Sequence, residues 1–129
     1  MSPGEAEAYA LLGGAYQGQR MPAQPGRFLR KAVDLAPGSA RYQDLLAEFY
    51  RGGRKFQRAV PHYLAALTAS PDEVALFEGL ALSYRELGRL HLLRREHRKA
   101  IEAWERALRL DPSNISLRRW LEDLYAATS

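Results

Sequence analysis

The sequence predicts an all-α fold of about seven helices, paired into stacked helix–turn–helix hairpins, and three observations predict it. The first is a period: Tyr16, Tyr50 and Tyr84 lie 34 and 34 residues apart, Tyr125 follows after 41, and Leu12, Leu46, Leu80 and Leu121 keep the same intervals. The second is that small residues and prolines keep step with them. Ala32, Ala66 and Ala107 repeat with intervals of 34 and 41, as do Pro37, Pro71 and Pro112, while a large apolar residue recurs at Leu29, Tyr63 and Trp104. The third is the local spacing within each unit, three and four residues, which places the recurring side chains on one helical face.

The elements follow in chain order, predicted over residues 5–18, 25–36, 39–51, 55–69, 72–87, 92–110 and 114–127. The first, third and fifth carry the leucine, a small neighbour (Gly13, Ala47, Ala81) and the tyrosine one turn on, a stripe that reads as buried. The second, fourth and sixth carry the large apolar residue followed by alanine, with Ala59 and Ala100 before it in the last two. A proline closes each unit where a helix must stop. Ser70-Pro71-Asp72-Glu73 reads as a capping box with proline at the first helical position, Ser2-Pro3-Gly4-Glu5 repeats it, and Asp111-Pro112 uses aspartate for the same purpose. The seventh helix has no partner. Ser113, Asn114, Arg118, Arg119, Glu122 and Asp123 give it a polar outer face, as a terminal cap requires.

Tyr9-Leu12-Gly13-Tyr16 and Phe77-Leu80-Ala81-Tyr84, with Ala59-Tyr63-Ala66-Pro71 and Ala100-Trp104-Ala107-Pro112, resemble the tetratricopeptide repeat family. The resemblance implies one domain over 1–129, a right-handed superhelix with repeats at 6–39, 40–73 and 74–114 and a capping helix at 115–127. It also implies a concave groove lined by the first helix of each repeat.

Three departures stand out. The linker from Gly18 to Gly26 contains Pro22 and Pro25, so the second helix is expected to start late with Pro25 in its first turn. Pro61 falls inside the fourth helix and removes one backbone hydrogen bond, with a kink as the possible consequence. The third repeat carries seven extra residues between Tyr84 and Ala100. Seven residues make about two helical turns, so the faces stay in phase. They lengthen both helices by a turn or one helix by two; alternatively Leu87-Gly88-Arg89 ends the fifth helix and Leu90-His91-Leu92-Leu93 forms a protruding turn.

Charge is uneven. Residues 85–99 hold six Lys/Arg against two acids, a surplus equal to the +4 of the whole chain. A basic docking ridge of Arg89, Arg94, Arg95 and Arg98, facing an acidic partner or anionic surface, is one reading; a solvated, elongated hairpin is the other. Outside that segment the charge balances, which argues against a nucleic-acid binder basic all over.

Nothing in the sequence forms a catalytic constellation, and the expectation is a non-enzyme with no cofactor and no metal. His91 and His97 are six apart, the wrong spacing for two ligands on one helical face, and arginines surround them. Gly13-Gly14 and Gly52-Gly53 lack the lysine-serine that follows a phosphate-binding loop. The chain has no cysteine, and its apolar runs are too short to span a bilayer, which takes about 20 residues. The compartment stays open, with the cytoplasm as default, and the abundance of Ala, Leu, Arg and Gly suggests a bacterial source.

The resemblance implies partner-facing positions at Arg41, Asp44, Glu48, Arg51, Glu78, Leu82 and Arg85. One subclass of the family grips the C-terminal carboxylate of heat-shock chaperones; the positions corresponding to its lysines, asparagines and arginine are Ala10, Gly14, Leu45, Ala75 and Gly79, none of which matches. The expected function is a protein–protein scaffold or adaptor holding a peptide or helix in the groove. The alternatives are a self-assembling repeat module and, second, a helical-repeat nucleic-acid binder, for which the groove lacks a basic, base-reading column.

Overall fold

A computed structural model describes residues 3–18 and 24–129 of the chain. Seven helices follow one another: α1 (Pro3–Gly18), α2 (Gln24–Leu35), α3 (Ala40–Gly52), α4 (Phe56–Ala69), α5 (Val74–Leu93), α6 (His97–Leu110) and α7 (Ile115–Thr128). There is no strand among the described residues. The pairs α1–α2, α3–α4 and α5–α6 form hairpins, and each hairpin packs on the next, with α1 touching α3 and α3 touching α5 along one side of the stack. Pro25 falls in the first turn of α2, as expected. The linker proline Pro22, Ser2 of the first capping motif and the side chain of Tyr16 lie outside what is described.

The hairpins hold because the periodic residues meet in the interior. Leu29, Leu46, Ala47, Tyr50, Ala59, Tyr63, Ala66, Leu76 and Leu80 are buried in a core shared by α1 to α5. A second core is built from Ala100, Trp104 and Ala107 of α6 with Leu117, Leu121 and Leu124 of α7. Tyr84 packs against both. The expected stripe fails at its two ends. Leu12 is 44% exposed because no described helix covers that side of α1, and Tyr125 is 43% exposed because none follows α7.

The helix starts correct the capping expectation. Each proline opens a two-residue turn, and the cap is the residue two places after it: Ser39, Glu73 and Asn114. Ser39 Oγ accepts from the Tyr42 amide at 3.2 Å, and Asn114 Oδ1 accepts from that of Leu117 at 3.1 Å. Ser70 and Asp111 instead end α4 and α6, and Glu73 makes no side-chain capping bond. The Ser-Pro-Asp-Glu motif is thus a turn, since the residues after the proline are needed to reverse the chain. Pro61 is exposed inside α4, which runs unbroken over its 14 residues; the missing N–H costs one bond near the helix start.

All seven extra residues lie in α5. It has 20 residues against 13 in α3, while α4 and α6 both have 14. Gly88 does not end the helix; it is buried within it, and a Cβ there would stand 2.2 Å from the Trp104 ring. That glycine lets α5 and α6 approach closely. Earlier on the same helix, a Cβ on Gly79 would stand 2.6 Å from the Tyr63 ring of α4.

The first turns of α5 therefore pack on α4 and the last turns on α6, about 10 Å further along its axis at 1.5 Å per residue. The turns after α3 and α5 confirm the offset. Arg54 and Arg95 both take left-handed backbone (φ 61° and 60°), with Lys55 N–H bonding Tyr50 O at 2.8 Å and Glu96 N–H bonding His91 O at 2.9 Å. Counted from the helix start, Tyr84 holds the tyrosine's place; counted from the turn, His91 does. One helix carries both registers.

Candidate functional site

The side of the stack formed by α3, α5 and α7 presents the charged positions expected to face a partner, and the offset in α5 cuts two openings beside them. At the start of α5, a cleft of about 440 Å³ lies between Val74, Phe77, Glu78, Leu82 and Arg85 and the α6–α7 junction at Leu110, Asp111 and Leu117. At its end, a notch of about 690 Å³ lies between the α3–α4 turn (Arg51, Arg54, Phe56) and the overhanging part of α5 (Arg85, Arg89, Leu90, Leu93). Leu82 and Arg85 line both, so the two openings are neighbours along α5.

Charge separates along this face. Asp44 is half-buried, and its carboxyl is held above the usual carboxylate range by burial, then by the negative fields of Glu48 and Glu73. Asp44, Glu73 and Glu78 sit toward the starts of α3 and α5, while Glu48 lies one turn before Arg51 and pairs with it. Toward the ends stand Arg51, Arg54, Arg85 and Arg89. That order complements the helix dipoles, positive at the start and negative at the end, and is therefore cheap to maintain.

The arginines are held in different ways. Arg51 pairs with Glu48, and its Nε also donates to the Tyr63 hydroxyl at 2.8 Å. Burial is the main reason the Tyr63 phenol is pushed well above its ordinary range. Arg85 and Arg89 share one carboxylate, Glu86, at 3.5 and 3.7 Å, and the Arg85 Nε is buried with no hydrogen-bond acceptor. Arg89 lies over the Trp120 ring of α7 at 5.6 Å, and Arg54 over Phe56 at 5.7 Å. Among the described residues, Arg54 has no ion-pair partner.

The structure brings together Arg51, Leu82 and Arg85 at the notch, and Glu78, Leu82 and Arg85 at the cleft. Asp44 and Glu48 adjoin them. Arg41 stands apart, 2.5 Å from Glu7 of α1, whose carboxyl is lowered by hydrogen bonds from Arg41 and Tyr42. Of the four ridge arginines, Arg89 belongs to the notch, Arg94 and Arg95 form the exposed α5–α6 turn, and Arg98 is exposed on α6. Sequence reasoning missed Arg54, Phe56, Val74 and Phe77. The left-handed backbone at Arg54 and Arg95, each two residues before a second helix, belongs to the folded turn and left no signal in the residue types. No three His, Asp or Glu side chains among the described residues could hold a metal ion, and no helix there is long and apolar enough to cross a membrane.

Comparisons with known proteins agree with this geometry. Residues 81–114 match the family model for the tetratricopeptide repeat. The matched segment opens inside α5 and places Tyr84-Leu87-Gly88-His91 at the spacing of Tyr9-Leu12-Gly13-Tyr16. Among curated proteins, no sequence matches the chain. Solved structures do. The first repeat domain of Spaghetti (RPAP3), bound to the HSP90 peptide SRMEEVD, is 17% identical with a TM-score of 0.59, covering 99% of this chain and 98% of that one. The first such domain of human RPAP3 is 18% identical with a TM-score of 0.59, over 98% and 94%. MamA is 25% identical with a TM-score of 0.61 over 98% of this chain, which spans 65% of MamA. Seven helices in hairpins and this superhelical likeness give the chain the fold of tetratricopeptide repeat domains, and residues 81–114 match the repeat itself in sequence.

Proposed function

We propose that the chain is a protein–protein interaction module that holds a segment of a partner against the face of α3 and α5. Arg41, Asp44, Glu48, Arg51, Glu78, Leu82 and Arg85 would make the contacts. The observation that carries this reading is the cleft and notch side by side along α5, with Leu82 between them and opposite charges at the two ends. A segment of mixed charge would complement it, and the surface gives a reactant no nucleophile–base pair to work on. The same fold in the Spaghetti domain holds a peptide, which supports a peptide-sized partner here. A chaperone carboxylate is not supported: Ala10 and Gly79, at two of the gripping positions, are buried against neighbouring helices.

The test is affinity capture from a lysate of the source organism, with the partners read by mass spectrometry. The bait is compared with Glu48→Lys/Arg51→Glu. This swap retains an ion pair within α3 while inverting the field at the groove. Recovery is expected to fall about tenfold. Equal recovery by a variant with an unchanged circular dichroism spectrum would remove the groove from the account.

A further inference from the structure

The two ends of α5 carry complementary surfaces. At its far end, the notch is lined by four arginines and one glutamate, with Leu93 81% exposed at its rim. Glu86 cannot neutralise both arginines it serves, at 3.5 and 3.7 Å, and Arg54 has no acid within ion-pair distance among the described residues. At its near end, the α4–α5 turn exposes Pro71, Asp72 and Glu73, followed by Val74 at 66% exposed. One surface is basic and apolar, the other acidic and apolar. They lie about 28 Å apart along α5 at 1.5 Å per residue, so they cannot meet within one molecule.

We propose that the α4–α5 turn of one copy docks into the arginine notch of the next, giving a head-to-tail assembly. Asp72 and Glu73 would supply the carboxylates for Arg54 and Arg89, and Val74 would cover Leu93. Such a contact joins two different surfaces, so each copy keeps one free turn and one free notch and the assembly grows unless it closes into a ring. The inference does not rest on the partner-binding reading above. It shares the notch with that reading, through Arg51, Leu82 and Arg85, but needs no foreign partner, and its acidic surface at Asp72 and Glu73 lies outside the seven contact positions.

Sedimentation velocity over a range of protein concentrations, at low and high salt, tests it. The wild-type mass is expected to rise with concentration and to fall with added salt. Arg54→Glu/Leu93→Asp removes the notch, and Asp72→Lys/Glu73→Lys removes the turn. All four positions are exposed, and a thermal melt checks that each variant is folded. Each variant alone is expected to stay monomeric, its self-association weakened by about tenfold or more. Mixed in equal amounts, they should associate again, because one intact notch then meets one intact turn. A wild-type chain that is monomeric throughout, a notch variant that still assembles, or a mixture that stays monomeric would each overturn the proposal. The Asp72→Lys/Glu73→Lys variant lies outside the seven partner-contact positions and leaves the notch intact, so it separates loss of self-association from loss of partner capture.

Discussion

Replacing Gly88 with alanine tests the packing on which the offset in α5 depends. The added methyl would stand 2.2 Å from Trp104 Cδ1 and from Nε1, so the ring must move. That ring is nearly buried and is fixed by its Nε1–H, which donates to Arg85 O at 3.0 Å. Overpacking of this kind costs about 1–3 kcal/mol, and loss of the indole hydrogen bond adds about 1 kcal/mol. Alanine recovers about 1 kcal/mol of helix propensity. The net expectation is a loss of about 1–3 kcal/mol. For a chain of this size that lowers Tm by roughly 5–10 °C. Gly52→Ala serves as the contrast, since no atom lies within 4 Å of its Cβ position. It should be neutral or stabilise by up to about 0.5–1 kcal/mol. Thermal and urea unfolding followed by circular dichroism measure both. A Gly88→Ala chain as stable as the wild type would show that α5 and α6 do not pack at this point, and the reasoning from the offset would fail.

Two more perturbations probe the core. His62 is half-buried, its Nδ1 lies 2.8 Å from Gln43 Oε1, and burial holds its pKa below the ordinary value. The unfolded chain therefore takes up the proton first as pH falls. His62 contributes fully above about pH 6.5, and that contribution is lost progressively as pH drops from there through the folded pKa. His62→Gln should remove the part of the pH dependence of Tm that lies just below neutrality, and an unchanged profile would contradict the assignment. Tyr84→Ala should cost about 2–4 kcal/mol, because the side chain packs against both cores. Hydrogen exchange should then show α6 and α7 opening before α3 and α4; uniform loss of protection would show that Tyr84 does not join the two cores.

The hairpins were legible because their determinants are local and periodic. Tyr50, Leu46 and Leu80 recur with the chain's period and are all buried. The placement of the seven extra residues was not legible, for a physical reason. Two helical turns return every side chain to nearly the same face, so periodicity alone does not separate the register ending at Tyr84 from the one ending at His91. The close approach of Gly88 to Trp104 and the matching turns at Arg54 and Arg95 show that α6 follows the second register. The motif Tyr84-Leu87-Gly88-His91 was present in the sequence, but histidine at its last position concealed it.

The capping motif misled in the other direction. Ser70-Pro71-Asp72-Glu73 satisfies the residue preferences of a capping box, yet the same residues serve as the reversal between α4 and α5. Asn114 shows the actual rule, with the cap two residues after the proline. The expected groove residues were placed by resemblance, and four of them line the cleft and notch: Arg51, Glu78, Leu82 and Arg85, with Glu48 paired to Arg51. The openings themselves come from the axial offset between hairpins, a tertiary relation that no single segment encodes. That is why Arg54, Phe56, Val74 and Phe77 escaped notice.

A spin-label distance across α5 tests most directly that one unbroken helix carries both registers. The chain has no cysteine, and Val74 and Leu93 are exposed at the two ends of the helix, so Val74→Cys/Leu93→Cys labels only those sites. Nineteen residues of continuous helix separate the two backbones by about 28 Å. A single narrow distribution near that value is the predicted result. A broad distribution or a markedly shorter distance, as a break at Gly88 would produce, would contradict it.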